Sequence, residues 1–373
     1  MSVIVDISAK AFQQGCRTCA ALFLNKPDLF SNLMTQSTKR GIQIFSAIAF
    51  FAAGCILTYF WVKHTLADAL SPSPASVRTE SVPCELNSTR LHGYEFIRPL
   101  IFVDPSCESP NLAGIKGKLS EQINQFKADG VLQNASVYLR TFNSGEWTGV
   151  NINTRYHPGS LLKVPILIAY LRLASADPSV LDRKYTFEKP KDKELPVQNY
   201  KSKTLQEGQA YTVRELLKYA ISYSDNNAHY LLSKHLDNKV LEKVFIDLGI
   251  GVPTADPADG LIWISPREYS AFMKTLFNSS YLNPDLSEFA LSLLNQTTFE
   301  QGLTAGVPKG TKIAHKFGEW DDTRSFELHE SGIIYIDNKP CLITIMTKGS
   351  QRDSLPRVIS ALTATIYSEL KGS

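Results

Sequence analysis

The run Leu161 to Ala174, LLKVPILIAYLRLA, carries charge only at Lys163 and Arg172. A helix apolar on nearly every side has to be buried on every side. The chain must therefore wrap other elements around this segment, which makes it the centre of a layered domain. Pro158 and Gly159 break whatever strand precedes it, Ser160 stands at the helix start, and Lys163 follows three residues later. Residues three apart share a helix face, so the amine can reach the hydroxyl. The helix N-terminus adds free N–H groups and partial positive charge beside Ser160. An alkyl alcohol needs a base to become a nucleophile, and a lysine serves as one only where burial or nearby cations lower its pKa. The apolar run supplies that burial. The plainer reading makes Ser160 a helix cap and Lys163 a solvated first-turn residue. The same spacing recurs at Ser368 and Lys371, in a polar tail where no chemistry is expected, so the pair needs support from the rest of the chain.

That rest is large enough. With 373 residues, 43% of them hydrophobic and 20% charged, the chain can bury a sizeable core. A net charge of +3 argues against a nucleic-acid partner, which would call for a concentrated basic face.

Gly41 to Val62 is a second constraint: 22 residues without a charge, ending in Tyr59, Phe60 and Trp61. It is long enough to cross a bilayer, and its aromatic end suits the interface. A cleaved signal would lie nearer the start and end in small residues. Lys10, Arg17, Lys26, Lys39 and Arg40 precede the run, and only Lys63 follows closely. The positive-inside rule then keeps 1–40 as a cytoplasmic tail, makes 41–62 a single membrane anchor, and exports the remainder.

Residues 63–112 read as an exported linker, opening on Ser71-Pro72-Ser73-Pro74. Cys84 and Cys107 lie there; they are the likeliest disulfide pair, although both can also stay free. Cys16 and Cys19 form a lone C-x-x-C with no second pair, and Cys341 reads as a core residue. The folded domain is assigned to 113–373. A helix from Ala113 leads to a hairpin, 135–142 and 146–152, around Asn143-Ser144-Gly145. The Ser160 helix follows, then a charged loop from Lys189 to Glu207. A helical block comes next, with capping boxes at Thr212–Glu215 and Ser265–Glu268. Strands return at 312–316, 331–337 and 341–347, with Asn338 in a tight turn, before a final helix near 356–370. Strands early and late around a helical middle predict an α/β fold: an antiparallel sheet flanked by helices, plus an all-helical subregion.

Two more stretches join the first: Ser224-Asp225-Asn226 at a helix–helix junction, and Lys316-Phe317-Gly318 at a strand end. In this order, S-x-x-K, S-D-N and K-x-G resemble the signature of class A β-lactamases and penicillin-binding proteins. The resemblance covers Ala113 to the C-terminus. It implies a serine hydrolase that forms an acyl-enzyme on Ser160 with β-lactam or cell-wall peptide amides, without cofactor or metal. By that likeness Lys163 takes the proton of Ser160, and Ser224 relays one to the leaving nitrogen. Asn226 binds the substrate's side-chain amide and helps to hold Lys163. Lys316 supplies positive charge for a substrate carboxylate. Gly318 completes the motif, and the N–H groups of Ser160 and Glu319 hold the oxyanion. Asp225 is read as structural. A bacterial membrane location, with the C-terminal domain outside the cytoplasm, follows from the anchor and the family together.

Two departures stand out. Phe317 occupies a place where the family has a small hydroxyl residue, removing a hydrogen bond to a carboxylate and adding bulk at the cleft. No glutamate with the family's deacylating pattern is found; Gly251 to Trp263 offers Asp256 and Asp259 alone, and Glu268 is accounted for by its capping box. A slow-turnover D,D-peptidase or penicillin-binding protein and a weakly catalytic binding protein are the alternatives. A Ser-His-Asp hydrolase using His157 or His315 lacks the G-x-S-x-G elbow, and the seven histidines show no metal-ligand spacing.

Overall fold

The computed structural model describes residues 54–63, 84–191, 194–196, 199–200, 202–252, 262–321, 325–337 and 339–372. The chain divides into Met1–Ser81 and a compact unit Val82–Ser373. In the first unit the described residues 54–63 are helical and exposed, with Leu57, Phe60 and Trp61 each more than 60% accessible. Residues 41–53 of the expected anchor lie outside the described residues.

The compact unit is built on a five-stranded antiparallel sheet in the order β4-β3-β9-β8-β7. Its strands are β3 (Asn134–Thr141), β4 (Trp147–Val150), β7 (Ile313–Asp321), β8 (Phe326–Ile336) and β9 (Lys339–Gly349). Side chains alternate faces along a strand, and the two hydrophobic clusters divide accordingly. Cys341, Ile343 and Ile345 of β9 join Val137 and Leu139 of β3 in one cluster, with helices α1 (Ala113–Ala128) and α8 (Leu355–Gly372). Leu342 and Met346 face the other way, toward the helical layer. Cys341 is fully buried and a free thiol, and burial pushes its pKa up to about 12.

At the centre of the helical layer lies α2 (Lys163–Ala176), whose residues Val164 to Leu171 are all buried. Together with the turn before it, it makes an apolar run of 18 residues, Gly159–Ala176, long enough to resemble a membrane span, yet it is the buried core helix. Around it pack α3 (Val213–Ser222), α4 (Asn226–His235), α5 (Asn238–Asp247), α6 (Pro266–Phe277) and α7 (Pro284–Asn295). The capping boxes expected at Thr212 and Ser265 are formed, each side chain accepting from the N3 amide while the N3 glutamate returns the bond. A two-stranded ribbon, β5 (Lys184–Thr186) with β6 (Ala210–Thr212), brackets the Lys189–Glu207 loop.

The structure differs from the sequence reading in the stretch assigned to a linker. β1 (Leu86–Arg90) and β2 (Leu100–Pro105) form an antiparallel hairpin within the compact unit, and Cys84 is disulfide-bonded to Cys107. Ile101 is 2% accessible. Asp104 of β2 pairs with the Lys274 amine of α6, and its Oδ1 lies 2.7 Å from Arg140 Nη1 of β3, an ion-pair contact outside hydrogen-bond alignment. Burial, opposed by Asp104, brings the Lys274 pKa down to about 8. Trp147 Nε1 donates to Pro105 O at 2.8 Å. The folded unit therefore begins well before Ala113, because the sequence there is stapled by contacts from distant residues.

Candidate active site

Gly159–Leu162 forms a 3-10 turn that leads into α2 at Lys163. Its approach is fixed from the sheet. The His157 N–H donates to Glu327 Oε2 at 3.1 Å, and His329 Nε2 lies 3.0 Å from His157 O. His329 Nδ1 accepts from the Thr347 amide, which leaves the ring proton on Nε2 to donate to His157 O. Tyr269, fully buried, donates to Leu161 O at 3.0 Å. The turn is thus held rigidly, while Ser160 itself stays half-buried and reachable. His157 Nδ1 accepts from the Gly159 amide at 3.2 Å; that bond orients the turn and is not made to Ser160.

Lys163 is 2% accessible. Its Nζ donates to Ser224 O at 2.5 Å and Asn226 Oδ1 at 2.8 Å, and lies 2.9 Å from Ser160 Oγ. Asn226 Nδ2 donates to Pro196 O at 2.8 Å, which fixes its Oδ1 toward the lysine. A neutral amine has two protons and one lone pair. In that form both protons go to Ser224 O and Asn226 Oδ1, which cannot donate, and the lone pair faces the Ser160 hydroxyl. Burial, opposed by the carboxylates of Asp225 and Glu319, brings the Lys163 pKa down to about 7.

Ser224 adopts φ +55°, in the left-handed region that a non-glycine residue enters at a cost of roughly 1–2 kcal/mol. The conformation turns its carbonyl to Lys163 and its hydroxyl between two amines, 2.8 Å from Lys316 Nζ and 3.3 Å from Lys163 Nζ. Lys316 is fully buried, and its second bond is to Phe317 O at 2.8 Å. Burial and the nearby Lys163 amine hold its pKa well below the usual lysine range. Ser160, Lys163, Ser224 and Lys316 therefore stand in a line, with successive side-chain polar atoms 2.9, 3.3 and 2.8 Å apart. Asp225 caps α4, accepting from the Asn227 and Ala228 amides, from the Leu205 amide and from Thr204 Oγ1, a structural role.

β7 is one of the two edge strands of the sheet, and the turn carrying Ser160 rests on it. A Cβ at Gly318 would lie 2.4 Å from Pro158 O, and one at Gly159 would lie 2.3 Å from Glu319 O. Gly159 also has φ +52°. Both glycines are required by this approach, which brings the Glu319 backbone beside the turn carrying Ser160. We expect Gly159→Ala to cut acylation of Ser160 on the order of 10²-fold, the cost of about 1 Å of misplacement at a reacting group. Unchanged acylation kinetics in that variant would show that the approach can relax.

A family model described as the Beta-lactamase enzyme family matches residues 118–370. The chain belongs to this family. The family is one of serine hydrolases acting on the amide bond of β-lactams. A curated relative, Beta-lactamase 3 of Bacillus cereus, is 25% identical over 157 residues; the match spans 38% of this chain and about half (48%) of that protein. Among solved structures, PBP-A aligns with a TM-score of 0.60 at 20% identity, covering 71% of this chain and 98% of that one. A class A beta-lactamase from Mycobacterium abscessus aligns with a TM-score of 0.58 at 22% identity, covering 69% and 100%. At these identities the likeness is one of fold.

Within this beta-lactamase frame the third motif departs as its sequence suggests, but in a different way. Phe317 is 2% accessible and does not project as free bulk into the cleft. Its ring stacks on Phe299 with centroids 4.5 Å apart, meets Tyr200 edge-on at 5.7 Å, and lies 4.2 Å from Lys316 Nζ. Glu319 binds Asn199 twice, accepting from its backbone N–H at 3.0 Å and from Nδ2 at 2.9 Å. Glu268 is committed to its cap and to Arg155. Asp256 and Asp259 lie outside the described residues. Among the described residues no cluster of His, Cys, Asp or Glu is arranged to hold a metal.

Sequence reasoning missed Tyr269, Glu327, His329, Asn199 and Tyr200. The charged pattern Glu327-Leu328-His329-Glu330 concealed the first half of β8, since buried charges look like a solvated loop until their partners are known.

Proposed function

We propose that this protein is an exported, membrane-anchored serine hydrolase that forms an acyl-enzyme on Ser160 with a β-lactam or cell-wall peptide amide. The observation that carries the reading is the buried Lys163 amine, 2.9 Å from Ser160 Oγ and held by Ser224 O and Asn226 Oδ1. Ser160 Oγ attacks the carbonyl carbon as Lys163 takes its proton, and the N–H groups of Ser160 and Glu319 receive the oxyanion. As the C–N bond breaks, Ser224 passes a proton to the leaving nitrogen and is resupplied along the line from Lys163 and Lys316. Asn226 holds Lys163 in register and offers an amide group to the substrate. Release of the acyl group is slow in this reading, because no glutamate of the family's deacylating pattern is found. A water-activating base commonly contributes about 10²–10⁴-fold. Incubation with a fluorescent penicillin followed by peptide mass spectrometry tests it. Stable label on Ser160 is expected. Fast multiple-turnover hydrolysis would sink slow release, and absence of label from every β-lactam and peptide analogue would favour a binding protein.

Lys163 acts as a base only when neutral. Its pKa near 7 lies below the ordinary lysine value, so the neutral fraction grows as pH rises. The acylation rate should climb about tenfold per pH unit below 7 and level off above about 8. A flat profile between pH 5 and 8 would contradict the assignment.

The charge-free run 41–62, the basic residues before it and the Cys84–Cys107 disulfide support anchoring with the catalytic unit in an oxidising compartment. A reporter active only in the cytoplasm, fused after Ser373, should be silent.

A further inference from the structure

The backbone from Tyr156 to Pro158 runs between β4 and the turn carrying Ser160, outside any helix or strand. Its hydrogen-bonding groups must therefore be met from elsewhere. Ile264 meets both groups of Tyr156, at 3.0 Å in each direction. Pro158 has no N–H, its carbonyl accepts from the Leu161 amide at 3.1 Å, and the Gly159 amide donates to His157 Nδ1 at 3.2 Å. That leaves the N–H and C=O of His157, and two side chains take both. Glu327 Oε2 accepts from the N–H at 3.1 Å, and His329 Nε2 donates to the carbonyl at 3.0 Å.

Glu327 and His329 stand two apart on β8, so they leave the same face of the sheet. They are 2% and 0% accessible. Each is itself held from β9: Glu327 Oε1 lies 3.2 Å from Lys348 Nζ, and the Thr347 amide donates to His329 Nδ1 at 3.2 Å. Glu327 Oε2 also lies 3.4 Å from His329 Nε2. Burying a carboxylate and an imidazole in a sheet face is costly, and apolar side chains of similar size would avoid that cost. What this pair supplies instead is one acceptor and one donor, both fixed to a rigid strand, on a single residue three positions ahead of Ser160.

We infer that Glu327 and His329 are positioning residues for acylation: they clamp the His157 backbone from both sides and so set the place of Ser160 against the Lys163 amine and the Glu319 N–H. The inference rests on the acyl-enzyme reading above. In it neither side chain touches substrate or moves a proton; both act through the short length of chain from His157 to Ser160.

The test uses the full chain and benzylpenicillin, with labelling of Ser160 followed by mass spectrometry over a range of penicillin concentrations. That range separates the acylation rate constant of the bound complex from its dissociation constant. His329→Gln keeps a donor near the Nε2 position and gives up the acceptor for Thr347. His329→Asn keeps an acceptor near Nδ1 and is too short to reach His157 O. If His329 served the sheet alone, Asn would be the better replacement. The clamp makes it the worse one. Asn should lower the acylation rate constant on the order of 10²-fold, the scale of about 1 Å of misplacement at a reacting group. Gln should lower it by less than about tenfold, the scale of one hydrogen bond. Glu327→Gln and Glu327→Asp separate reach from charge in the same way: Gln keeps an oxygen at full reach, Asp keeps the charge one methylene short, and Gln should acylate faster. The dissociation constant should stay within about twofold in all four variants. The two pairs are read independently, so a variant that circular dichroism shows to be unfolded leaves the other pair to decide. Equal rates within a pair, the reverse order, or a loss confined to the dissociation constant overturns the clamp while leaving the acyl-enzyme reading in place. Failure of the unsubstituted protein to label Ser160 overturns that reading, and the clamp with it.

Discussion

Lys163→Ala should lower the rate of Ser160 acylation on the order of 10⁶-fold, and Ser160→Ala should lower reaction to the same floor. The two are one device. In the proposed mechanism the Ser160 hydroxyl gains its base from the neutral Lys163 amine 2.9 Å away, whose two protons go to Ser224 O and Asn226 Oδ1. Removing either member removes the step itself, so the double variant should be no slower than either single one. Rates that multiply, with the double variant falling well below both, would show that the residues act independently and that another base serves Ser160. Circular dichroism at the assay temperature separates this loss from unfolding.

Asp104→Ala should destabilise the folded unit by roughly 3–5 kcal/mol, the cost of breaking a buried ion pair from one side. The carboxylate faces both Lys274, whose side chain is 4% accessible, and Arg140, at 10%. Without it two cations share a desolvated site. The damage should be relieved at high pH rather than low. Lys274 titrates near 8 in the fold, with Asp104 present, and loss of the anion lowers that value further. An unfolded lysine stays protonated to about 10.4, so the unfolded state binds the extra proton between these values and stability rises with pH across that window. Chemical denaturation at pH 7 and pH 9 reads both effects. A variant within 1 kcal/mol of the parent at pH 7 would show that water reaches these amines.

Features encoded by neighbours in sequence were legible, and features encoded across the fold were not. The Thr212 and Ser265 boxes name their own helices, because the cap and its glutamate are three residues apart. The Ser160–Lys163 spacing likewise needs only one helical turn. The hairpin of β1 and β2 gave no such signal. Leu86 and Leu100 face solvent, and what fixes the segment is a disulfide, an ion triad and a tryptophan from elsewhere. β8 was read from Ser331 alone, since nothing local reveals that Glu327 will meet His329 and Lys348, or that Glu330 will meet His315. At the site itself, the sequence supplies the residue types. The left-handed turn at Ser224 and the aromatic burial of Phe317 are set by tertiary packing.

The left-handed backbone of Ser224 has an evolutionary consequence. Glycine would occupy that φ without strain, and an apolar residue could replace either buried amine without its desolvation cost. Three positions that the proposed chemistry uses are thus places where the chain is locally less stable than it could be. A library of this protein screened for heat resistance alone should therefore drift toward inactive sequences, losing Ser224, Lys163 and Lys316 before it loses the core around α2. Screening for heat resistance and Ser160 labelling together should keep all three.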